Sequence, residues 1–419
     1  MRGRGATAVA ALTVAASVAV LPVPATAHGR PDDRPKAHNI RLTQGADAGS
    51  QEPSLSADGR YVVFTSKASN LVRGDTNGVT DVFLRDLRTG RVQRVSTDAT
   101  GGQSAQGAIS GTISAGGRHA VFISDSPDLV PGQTHAKRSV YWRDLRTGQV
   151  RYVGNDIGQN MVYARSATVS ADGRYVAFGA GTGIPRPGVG IGVRDMRTGK
   201  LTVLSGSTSY NEYLGALSDD ARVLVHTVGF YYSSYSDVQV VNPLTGERRS
   251  VYLTPGGARA NGTAFDADVS GNGRYVAFGS TATDLGPQDA NGAGRNVFVR
   301  DLRTGSLRIV EASDPSLWTL DGKLSRDGRY LLFRAAAKSS DSGIWYLRDL
   351  RTGRTKVAVT DASGDPALVG GSGGPAPAYL GERPLDARAG TVAFHTAAEN
   401  MAPGPRSGDG NDAYVRRIR

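Results

Sequence analysis

One loop of this 419-residue chain has residue types that could bind a metal. The stretch GDTNGVTD at residues 74–81 brings the oxygen ligands Asp75, Asn77 and Asp81 close together, and such hard ligands at alternate positions suit calcium. The loop lacks two features of a helix–loop–helix calcium site, since its glycine comes too early and no glutamate closes it. Asn-Gly is also a hairpin turn in its own right. The turn is the favoured interpretation, and a calcium ion bound by these three residues is the alternative.

Residue types that could act as nucleophiles are few. The letters GGSGG at residues 370–374 match G-x-S-x-G, but a nucleophile elbow needs a strand before it and a helix after it, and LVGGSGGPAPAY indicates a flexible loop. The six histidines are scattered singly, and those at repeat positions, His119 and His226, are expected to be packed. The chain has no cysteine, which excludes thiol chemistry and disulfide bonds. The sequence thus identifies no catalytic residue and no cofactor, and it predicts that the protein is not an enzyme.

A cluster of tyrosines is the remaining candidate for binding. Aromatic rings with hydroxyl tips suit sugar rings or protein partners. The alternative, which the sequence leaves open, is that these rings fill space between shortened loops. The cluster consists of Tyr210, Tyr213, Tyr231, Tyr232 and Tyr235.

The chain begins with the features of a secretory signal. Arg2 and Arg4 precede an apolar run, and Ala25-Thr26-Ala27 has the small-x-small pattern of a cleavage site. We therefore expect a signal peptide at residues 1–27, a short linker at 28–37 and an exported protein without a transmembrane segment after cleavage. The formal charge of +11 favours acidic partners, but the arginines are spread over the chain rather than gathered into a tract, so nucleic acid is not the expected partner.

Two motifs recur along the rest of the chain and explain how these residues are positioned. The hexapeptide RDLRTG stands at residues 85–90, 143–148, 300–305 and 348–353, with variants at 194–199 and 242–246. A second motif, Ser-x-Asp-Gly-Arg-Tyr-Val-x-Phe, precedes each copy, and its turn recurs every 48–62 residues. This period is typical of a propeller or a solenoid. Asp-Gly predicts a tight hairpin, and Arg-Thr-Gly predicts a second one.

Each repeat reads as four antiparallel strands, and stacking the repeats radially would bury both faces of every sheet. The aspartates of RDLRTG are expected to form ion pairs or hydrogen bonds between blades. Residues 38–44, HNIRLTQ, resemble the outer strand of a repeat, but they precede the first inner strand of the chain. Residues 385–418 resemble a repeat that lacks its outer strand. We therefore predict an all-β, seven-bladed propeller over residues 38–419, closed by an N-terminal strand that completes the last blade.

The paired motifs resemble the WD40-like (PD40) repeats of TolB-type propellers. Such propellers serve as binding scaffolds, periplasmic adaptors and non-catalytic domains of peptidases. TolB carries an additional N-terminal domain, for which residues 28–37 leave no room, and no α/β-hydrolase domain is written after the repeats. The resemblance implies a monomeric, non-catalytic module that binds a protein or glycan partner at the cell envelope or outside the cell. The alternative is a propeller enzyme, a glycan lyase or hydrolase, with its active site at the mouth of the channel. Converging carboxylate, histidine and arginine side chains there would favour the enzyme.

Overall fold

The seven repeats fold as seven β-sheets arranged as the blades of a propeller. The computed structural model describes residues 38–132, 137–155, 157, 163–181, 189–205, 210–230, 236–286, 294–338, 343–367, 378–398, 400–403 and 410–418. In these ranges it contains 28 strands and no helix. Accordingly, no helix in the described ranges is long and apolar enough to cross a membrane.

Each of the first six blades contains four antiparallel strands in chain order, from the channel outward. Blade 1 comprises β2 (Ser50–Leu55), β3 (Tyr61–Ser66), β4 (Asp81–Asp86) and β5 (Val92–Arg94). Blade 2 comprises β6 (Ala108–Ile113), β7 (His119–Ser124), β8 (Ser139–Asp144) and β9 (Val150–Gly154). Blade 3 comprises β10 (Tyr163–Val169), β11 (Tyr175–Gly181), β12 (Val189–Asp195) and β13 (Leu201–Ser205).

The second half of the ring repeats this pattern. Blade 4 comprises β14 (Tyr210–Leu217), β15 (Leu224–Phe230), β16 (Ser236–Val241) and β17 (Arg248–Ser250). Blade 5 comprises β18 (Ala264–Val269), β19 (Tyr275–Ser280), β20 (Asn296–Asp301) and β21 (Leu307–Val310). Blade 6 comprises β22 (Leu317–Leu324), β23 (Tyr330–Ala337), β24 (Ile344–Asp349) and β25 (Thr355–Val357). One parallel bridge, between Val189 and Asn211, joins the sheets of blades 3 and 4.

Blade 7 is built from both ends of the propeller. It comprises β26 (Ala378–Tyr379), β27 (Thr391–Thr396), β28 (Asp412–Arg417) and β1 (Asn39–Arg41), in that order. Strand β1 pairs antiparallel with β28, with Ile40 opposite Val415. The amide of Asn39 also donates to the carbonyls of Thr360 and Met401, both at 2.8 Å. Closure by an N-terminal strand is confirmed, although the strand is shorter than the predicted residues 38–44.

Apolar side chains of the second and third strands of each repeat form the layer that holds the blades together. A buried phenylalanine of the second strand stacks on an aromatic ring of the third, at 5.8 Å for Phe64–Phe83 and 5.6 Å for Phe122–Tyr141. These rings then pack against the neighbouring blade: Val63 and Val82 of blade 1 share one core cluster with Phe122. Burying about 25 cal/mol per Å² of such surface is the main source of stability for a stack of sheets.

The recurrent aspartate of RDLRTG is bound within its own blade, so the expected ion pair between blades is wrong. Asp86 accepts from Arg60, the arginine that follows Asp-Gly, and the shortest distance is 2.7 Å. The arginine one residue before the aspartate makes the contact between blades: Arg300 of blade 5 donates to the Leu253 carbonyl beyond blade 4. The same pairing within a blade occurs at Asp144–Arg118, Asp195–Arg174, Asp301–Arg274 and Asp349–Arg329.

The Ser-x-Asp-Gly turns meet around the axis and close one end of the channel, which we call the turn face. Backbone amides of successive turns donate to the carbonyl of the next turn in a complete circuit of seven bonds, each 2.8–3.4 Å long. The linked residues are Ala57, Ala115–Gly116, Ala171, Asp219, Gly271–Asn272, Arg326–Asp327 and Ala387. The opposite end, which we call the open face, carries the loops between second and third strands. The channel is therefore a cup with a hydrogen-bonded floor.

Candidate active site at the open end of the channel

Four carboxylates occupy one repeat position, which lies on the innermost strand in blades 1, 5 and 6 and just after it in blade 7. This position lies four residues before the serine of the Ser-x-Asp-Gly turn, or before Asp386, which replaces that serine in blade 7. From blade 1 to blade 7 it is filled by Glu52, Ser110, Ser166, Leu214, Asp266, Asp321 and Glu382. Blades 5, 6, 7 and 1 are consecutive around the ring. The four acidic side chains therefore form an arc along one side of the channel, which we call the acidic arc.

Three members of the acidic arc sit at β-bulges with strained backbone. The ladders of β2, β18 and β22 shift register at these points. Glu52, Asp266 and Asp321 have φ angles of 51°, 51° and 58°, in the left-handed region that side chains seldom adopt. Such strain costs about 1–3 kcal/mol at each residue, and bulges re-aim side chains next to active sites. The strained backbone at these positions indicates that the carboxylates have a role other than forming the strand.

Asp266 and Asp321 are neighbouring carboxyl groups in the channel. Although Asp266 is exposed to the channel, desolvation by the surrounding protein raises its pKa, and the negative charge of Asp321 acts in the same direction. Arg334 donates from Nε to Oδ2 of Asp321 at 2.6 Å and orients that carboxyl group. The raised pKa makes Asp266 the candidate acid, and Asp321 is the carboxylate beside it.

Lys323 and Glu382 form the deeper, oppositely charged part of the site. Burial alone would lower the pKa of Lys323, but the charges of Asp268, Glu382 and Asp266 raise it. Burial raises the pKa of Glu382, and Lys323 and Arg383 oppose that effect. Asp268 is fixed because its Oδ2 accepts from the Leu324 amide at 2.6 Å. The lysine therefore stays charged and balances the carboxylates that surround it.

His395 supports the arc from the second strand of blade 7. Its Nδ1 accepts a hydrogen bond from the Glu52 backbone amide at 3.2 Å, which leaves the proton of a neutral ring on Nε2. Burial lowers the pKa of His395 to about 4, so the ring is neutral at pH 7. The half-exposed Tyr379 stacks on it with 5.4 Å between ring centroids. Burial and the charge of Glu382 raise the pKa of Glu52.

Aromatic rings and an arginine surround the acidic pair at the open face. The guanidinium of Arg295 lies 5.2 Å from the ring centroid of Phe265 and 5.6 Å from that of Trp318. Its charge also reaches Asp266 and favours the ionised form of that carboxyl. A cation held between two rings keeps its donors in place for an incoming acidic group.

Two adjoining cavities give access to these groups. The larger, about 550 Å³, is lined by residues of blades 4 to 7, among them Tyr213, Phe265, Lys323 and Glu382. The smaller, about 290 Å³, is lined by Asp321, Arg334, Trp345 and Tyr379, among others. Asp266 and Lys323 line both cavities. The volumes are those of small-molecule sites, and both open onto the carboxyl pair.

The floor of the site is locked by charges that break the repeat. Arg326 of blade 6 forms an ion pair with Asp219 of blade 4, across the turn of blade 5. Arg383 of blade 7 donates to the Leu217 carbonyl on the opposite side of the ring. Burial and the nearby charge of Arg383 lower the pKa of Arg326 to about 10. These contacts tie blades 4, 6 and 7 together beneath the acidic arc.

Of the predicted tyrosine cluster, one ring is placed at the site. Tyr213 is 60% exposed and lines the larger cavity. Tyr210 lies in β14, and its side chain is outside the described residues, as are Tyr231, Tyr232 and Tyr235. Binding by these four residues stays a prediction. The packed role expected of His119 and His226 is confirmed, because His119 stacks on Trp142 at 4.8 Å and His226 is 2% exposed.

At the predicted calcium loop, a guanidinium group lies beside the carboxylates. Arg94 approaches Asp75 at 3.6 Å and Asp81 at 3.7 Å. The Asn77 amide donates to Asp81 at 3.1 Å, and Ser96 donates to the same carboxylate at 2.5 Å. An internal cation and two donors thus already engage the oxygen atoms that calcium would need. Calcium binding here stays a prediction.

Aligning the repeats on their motifs alone misses the acidic arc, because its position precedes the motif. A signal was nevertheless present. Extending the alignment four residues before the turn serine shows a carboxylate in four of seven copies. The second-strand position held by Thr65 in blade 1 likewise becomes Arg334 in blade 6 and His395 in blade 7. Residues that depart from the repeat pattern are therefore candidates for a functional role, as opposed to a role in building the blades.

No family model and no curated protein matches this chain. Solved structures do match it. An oligogalacturonate lyase in complex with manganese aligns with a TM-score of 0.60 at 12% identity, over 93% of this chain and 95% of that one. The oligogalacturonate lyase of Vibrio parahaemolyticus aligns with a TM-score of 0.61 at 13% identity, over the same shares. A prolyl endopeptidase structure aligns at 0.55 and 14% identity, over 90% of this chain and 51% of that one.

These matches show the propeller fold. TolB structures, from Agrobacterium tumefaciens and Acinetobacter baumannii, are also among the matches, with TM-scores of 0.43 and 0.42. The predicted propeller fold is confirmed by the arrangement of the blades themselves, and no family model supports the finer PD40 assignment.

The expectation that the protein is not an enzyme is corrected. Two of the structures that it matches over 95% of their length are oligogalacturonate lyases. The feature that would favour an enzyme is also present, since carboxylates, a histidine and arginines converge at the channel mouth. The sequence concealed this cluster because its members come from four blades.

The manganese of the matched lyase has no evident counterpart in the parts of this chain that the structure describes. Within those ranges, no group of three histidine, aspartate or glutamate side chains is arranged to hold a metal ion. At the channel mouth the carboxylates have cationic neighbours, since Arg334 donates to Asp321 and the charges of Asp268, Glu382 and Asp266 act on Lys323.

Proposed function

We propose that this protein is a carbohydrate-active enzyme whose active site is the open end of its channel. The observation that carries the proposal is the placement of Asp266 and Asp321, equivalent residues of adjacent blades, beside a cavity rimmed by aromatic rings, with the pKa of Asp266 raised by desolvation and by the charge of Asp321. A raised pKa on one member of a carboxyl pair is the usual sign of a general acid working beside a base. Aromatic rings such as Tyr213 and Tyr379 are suited to stack on sugars.

The geometry favours elimination over hydrolysis. Glycosidases separate their two carboxyl groups by about 5–9.5 Å to make room for the sugar carbon or a water molecule. The Asp321 carboxylate is a near enough neighbour of Asp266 to raise its pKa. A lyase needs no water between its acid and its base, so neighbouring carboxyl groups suit it.

The proposed reaction breaks a glycosidic bond beside a uronate. The Asp321 carboxylate, oriented by Arg334, removes the proton from the ring carbon next to the substrate carboxylate. The electron pair of that C–H bond forms a C=C bond, the glycosidic C–O bond breaks, and Asp266 gives its proton to the leaving oxygen. Transfer of the abstracted proton from Asp321 to Asp266 then restores the starting state of the two carboxyl groups. Arg295 and Lys323 are the cations available to hold the substrate carboxylate.

The matched lyases suggest the substrate class to test. The matched proteins are oligogalacturonate lyases, and a uronate oligosaccharide has the carboxylate that elimination requires. The experiment incubates the purified protein with galacturonate, mannuronate and glucuronate oligosaccharides and follows the ultraviolet absorbance of an unsaturated product. Asp266→Asn and Asp321→Asn should each reduce kcat by about 10²–10⁴-fold. Asp365→Asn, which alters an exposed carboxylate outside the channel, should retain activity. No unsaturated product from any of the three substrates would contradict the proposal.

We further propose that the enzyme is exported. The support is the pattern of residues 1–27, with two arginines, an apolar run and a small-x-small site. A uronate polymer outside the cell would then be within reach of the open face. Expression of the full chain in a bacterial host, followed by N-terminal sequencing of the secreted protein, should give His28 as the first residue. Retention of the intact N-terminus in the cytoplasm would contradict export.

A further inference from the structure

The turn face carries clefts between blades that are rich in arginine. The cleft between blades 1 and 2, about 500 Å³, is lined by Arg60, Arg91, Arg118 and Arg146 with Asp86 as its acidic residue. The cleft between blades 5 and 6, about 380 Å³, is lined by Arg274, Arg308, Arg329 and Arg351 with Asp301 and Asp327. The two clefts use equivalent repeat positions. Both are far along the channel axis from the open face, because they are built from the turns that form the floor.

Each cleft contains two kinds of arginine. Arg60 and Arg118 are held by ion pairs of 2.7 Å with aspartates of their own blades. The guanidinium of Arg60 also covers the ring of Tyr61, at 4.6 Å from its centroid. Arg91 and Arg146 are exposed, and neither is in an ion pair within the described part of the chain. Each cleft wall is therefore rigid and neutralised, whereas its edge carries free positive charge.

The second cleft repeats this division. Arg274 and Arg329 pair at 2.6 Å with Asp301 and Asp349. Arg351, equivalent to Arg146, is exposed and outside the ion pairs of the described ranges. The corresponding arginine is exposed in further blades as well: Arg88, Arg197 and Arg303. Exposed guanidinium groups thus recur around the rim of the turn face with the period of the blades.

We propose that the turn face binds a linear anionic polysaccharide, whose acidic groups enter these clefts. Guanidinium groups bind carboxylate and sulfate oxygens through paired donors, and they retain their charge at every physiological pH. A regular array of cations suits a polymer whose charges also repeat. A cleft of this size admits one substituent of a thin single chain, whereas a nucleic-acid duplex carries its phosphates on a wide, rigid cylinder. The site lies on the face opposite the channel mouth and is independent of the reaction proposed there.

The test measures binding of a heparin oligosaccharide, a sulfated linear glycan, at several salt concentrations. The variant Arg91→Gln/Arg146→Gln/Arg351→Gln removes three exposed charges from the clefts. The matched control, Lys67→Gln/Arg73→Gln/Lys338→Gln, removes three exposed charges from loops of the open face. Since all six side chains are exposed, both variants should keep the melting temperature of the wild type.

The cleft variant should bind at least about tenfold more weakly, because each exposed charge pair contributes up to about 1 kcal/mol. The slope of log affinity against log salt should fall by about 2 for three lost contacts. The control variant should bind heparin as the wild type does. Equal losses in the two variants would show an effect of net charge only and would overturn the proposal. Tighter binding of a DNA duplex of equal total charge would overturn it as well, in favour of a nucleic-acid surface.

Discussion

Asp266 and Asp321 occupy the same position in adjacent repeats, and both line the same cavity at the mouth of the channel. Both residues have a positive φ at a β-bulge, so both blades accept strain at this point. Neither the turn nor the blade core needs a carboxylate here, since Ser110 and Ser166 fill the position in blades 2 and 3. The pair is best explained by what it presents to the channel.

The variant Asp266→Asn should stabilise the protein at neutral pH while abolishing the proposed activity. The protein around the channel and the charge of Asp321 raise the pKa of Asp266 above its value in the unfolded chain. The contribution of this group to stability is therefore fully present below the ordinary pKa of aspartate and is lost as the pH rises through the raised pKa. Asparagine does not ionise, so the variant should be the more stable protein above that window.

Urea unfolding at a series of pH values measures this difference. The advantage of Asp266→Asn over the wild type should shrink as the pH falls to the ordinary range of an aspartate. Asp365→Asn, which changes an exposed carboxylate, should follow the wild type throughout. A variant that is less stable than the wild type at every pH would show that Asp266 is not held under electrostatic strain.

The variant Gly271→Ala should weaken the floor of the channel. A Cβ at this position would lie 2.4 Å from Oδ2 of Asp219 and 2.9 Å from Cβ of Arg326, so the ion pair above it must move. Overpacking of this kind costs about 1–3 kcal/mol. Gly116, in the corresponding turn of blade 2, has no atom nearer than 3.9 Å to such a Cβ. Thermal unfolding should therefore separate Gly271→Ala from a nearly neutral Gly116→Ala, and equal melting temperatures would contradict a packed floor.

The variant Arg94→Gln tests the loop for which calcium was considered. Asp81 is fully buried, and removing its guanidinium neighbour leaves it and Asp75 without a compensating charge. Loss of one partner of a buried pair costs about 3 kcal/mol. Calcium should restore part of this stability in the variant and have a smaller effect in the wild type. A large rise in the wild-type melting temperature with calcium would show instead that the ion displaces Arg94 in the native protein.

The fold was predictable because its determinants are local and repeated. Each Ser-x-Asp-Gly and Arg-Thr-Gly turn specifies a hairpin from its own residues, and seven copies specify the number of blades. The contact between blades expected of Asp86 was wrong because its partner, Arg60, comes from the same blade, next to Tyr61, which lies opposite Asp86 in the β3–β4 pairing. The spacing of residues along the sequence does not show which of several arginines the pairing of two strands brings close to an aspartate.

The active site was not predictable in the same way. Glu52 and Glu382 are separated by nearly the whole chain and meet only because the ring closes. The bulges that aim Asp266 and Asp321 into the channel arise from register shifts that no motif letter encodes. Of the predicted binding residues, Tyr213 lines the cavity because it lies in β14, the inner strand of blade 4. A site assembled from one position in several repeats becomes visible only when the repeats are placed around an axis.

The variant Asn39→Ala should loosen the closure of the ring. Asn39 is nearly buried, and its side chain donates to Thr360 and Met401 and accepts from Arg416 at 3.2 Å. Its loss leaves two buried carbonyl groups without that donor, which we expect to cost about 1–3 kcal/mol. Asn70→Ala is the matched control, because Asn70 also bonds two backbone groups, those of Gly45 and Asp47, but in an exposed loop where water can replace it. Urea unfolding should therefore show a clear loss of stability for Asn39→Ala and a loss within about 0.5 kcal/mol for Asn70→Ala. Equal, small effects would mean that the β1–β28 pairing alone holds the last blade closed.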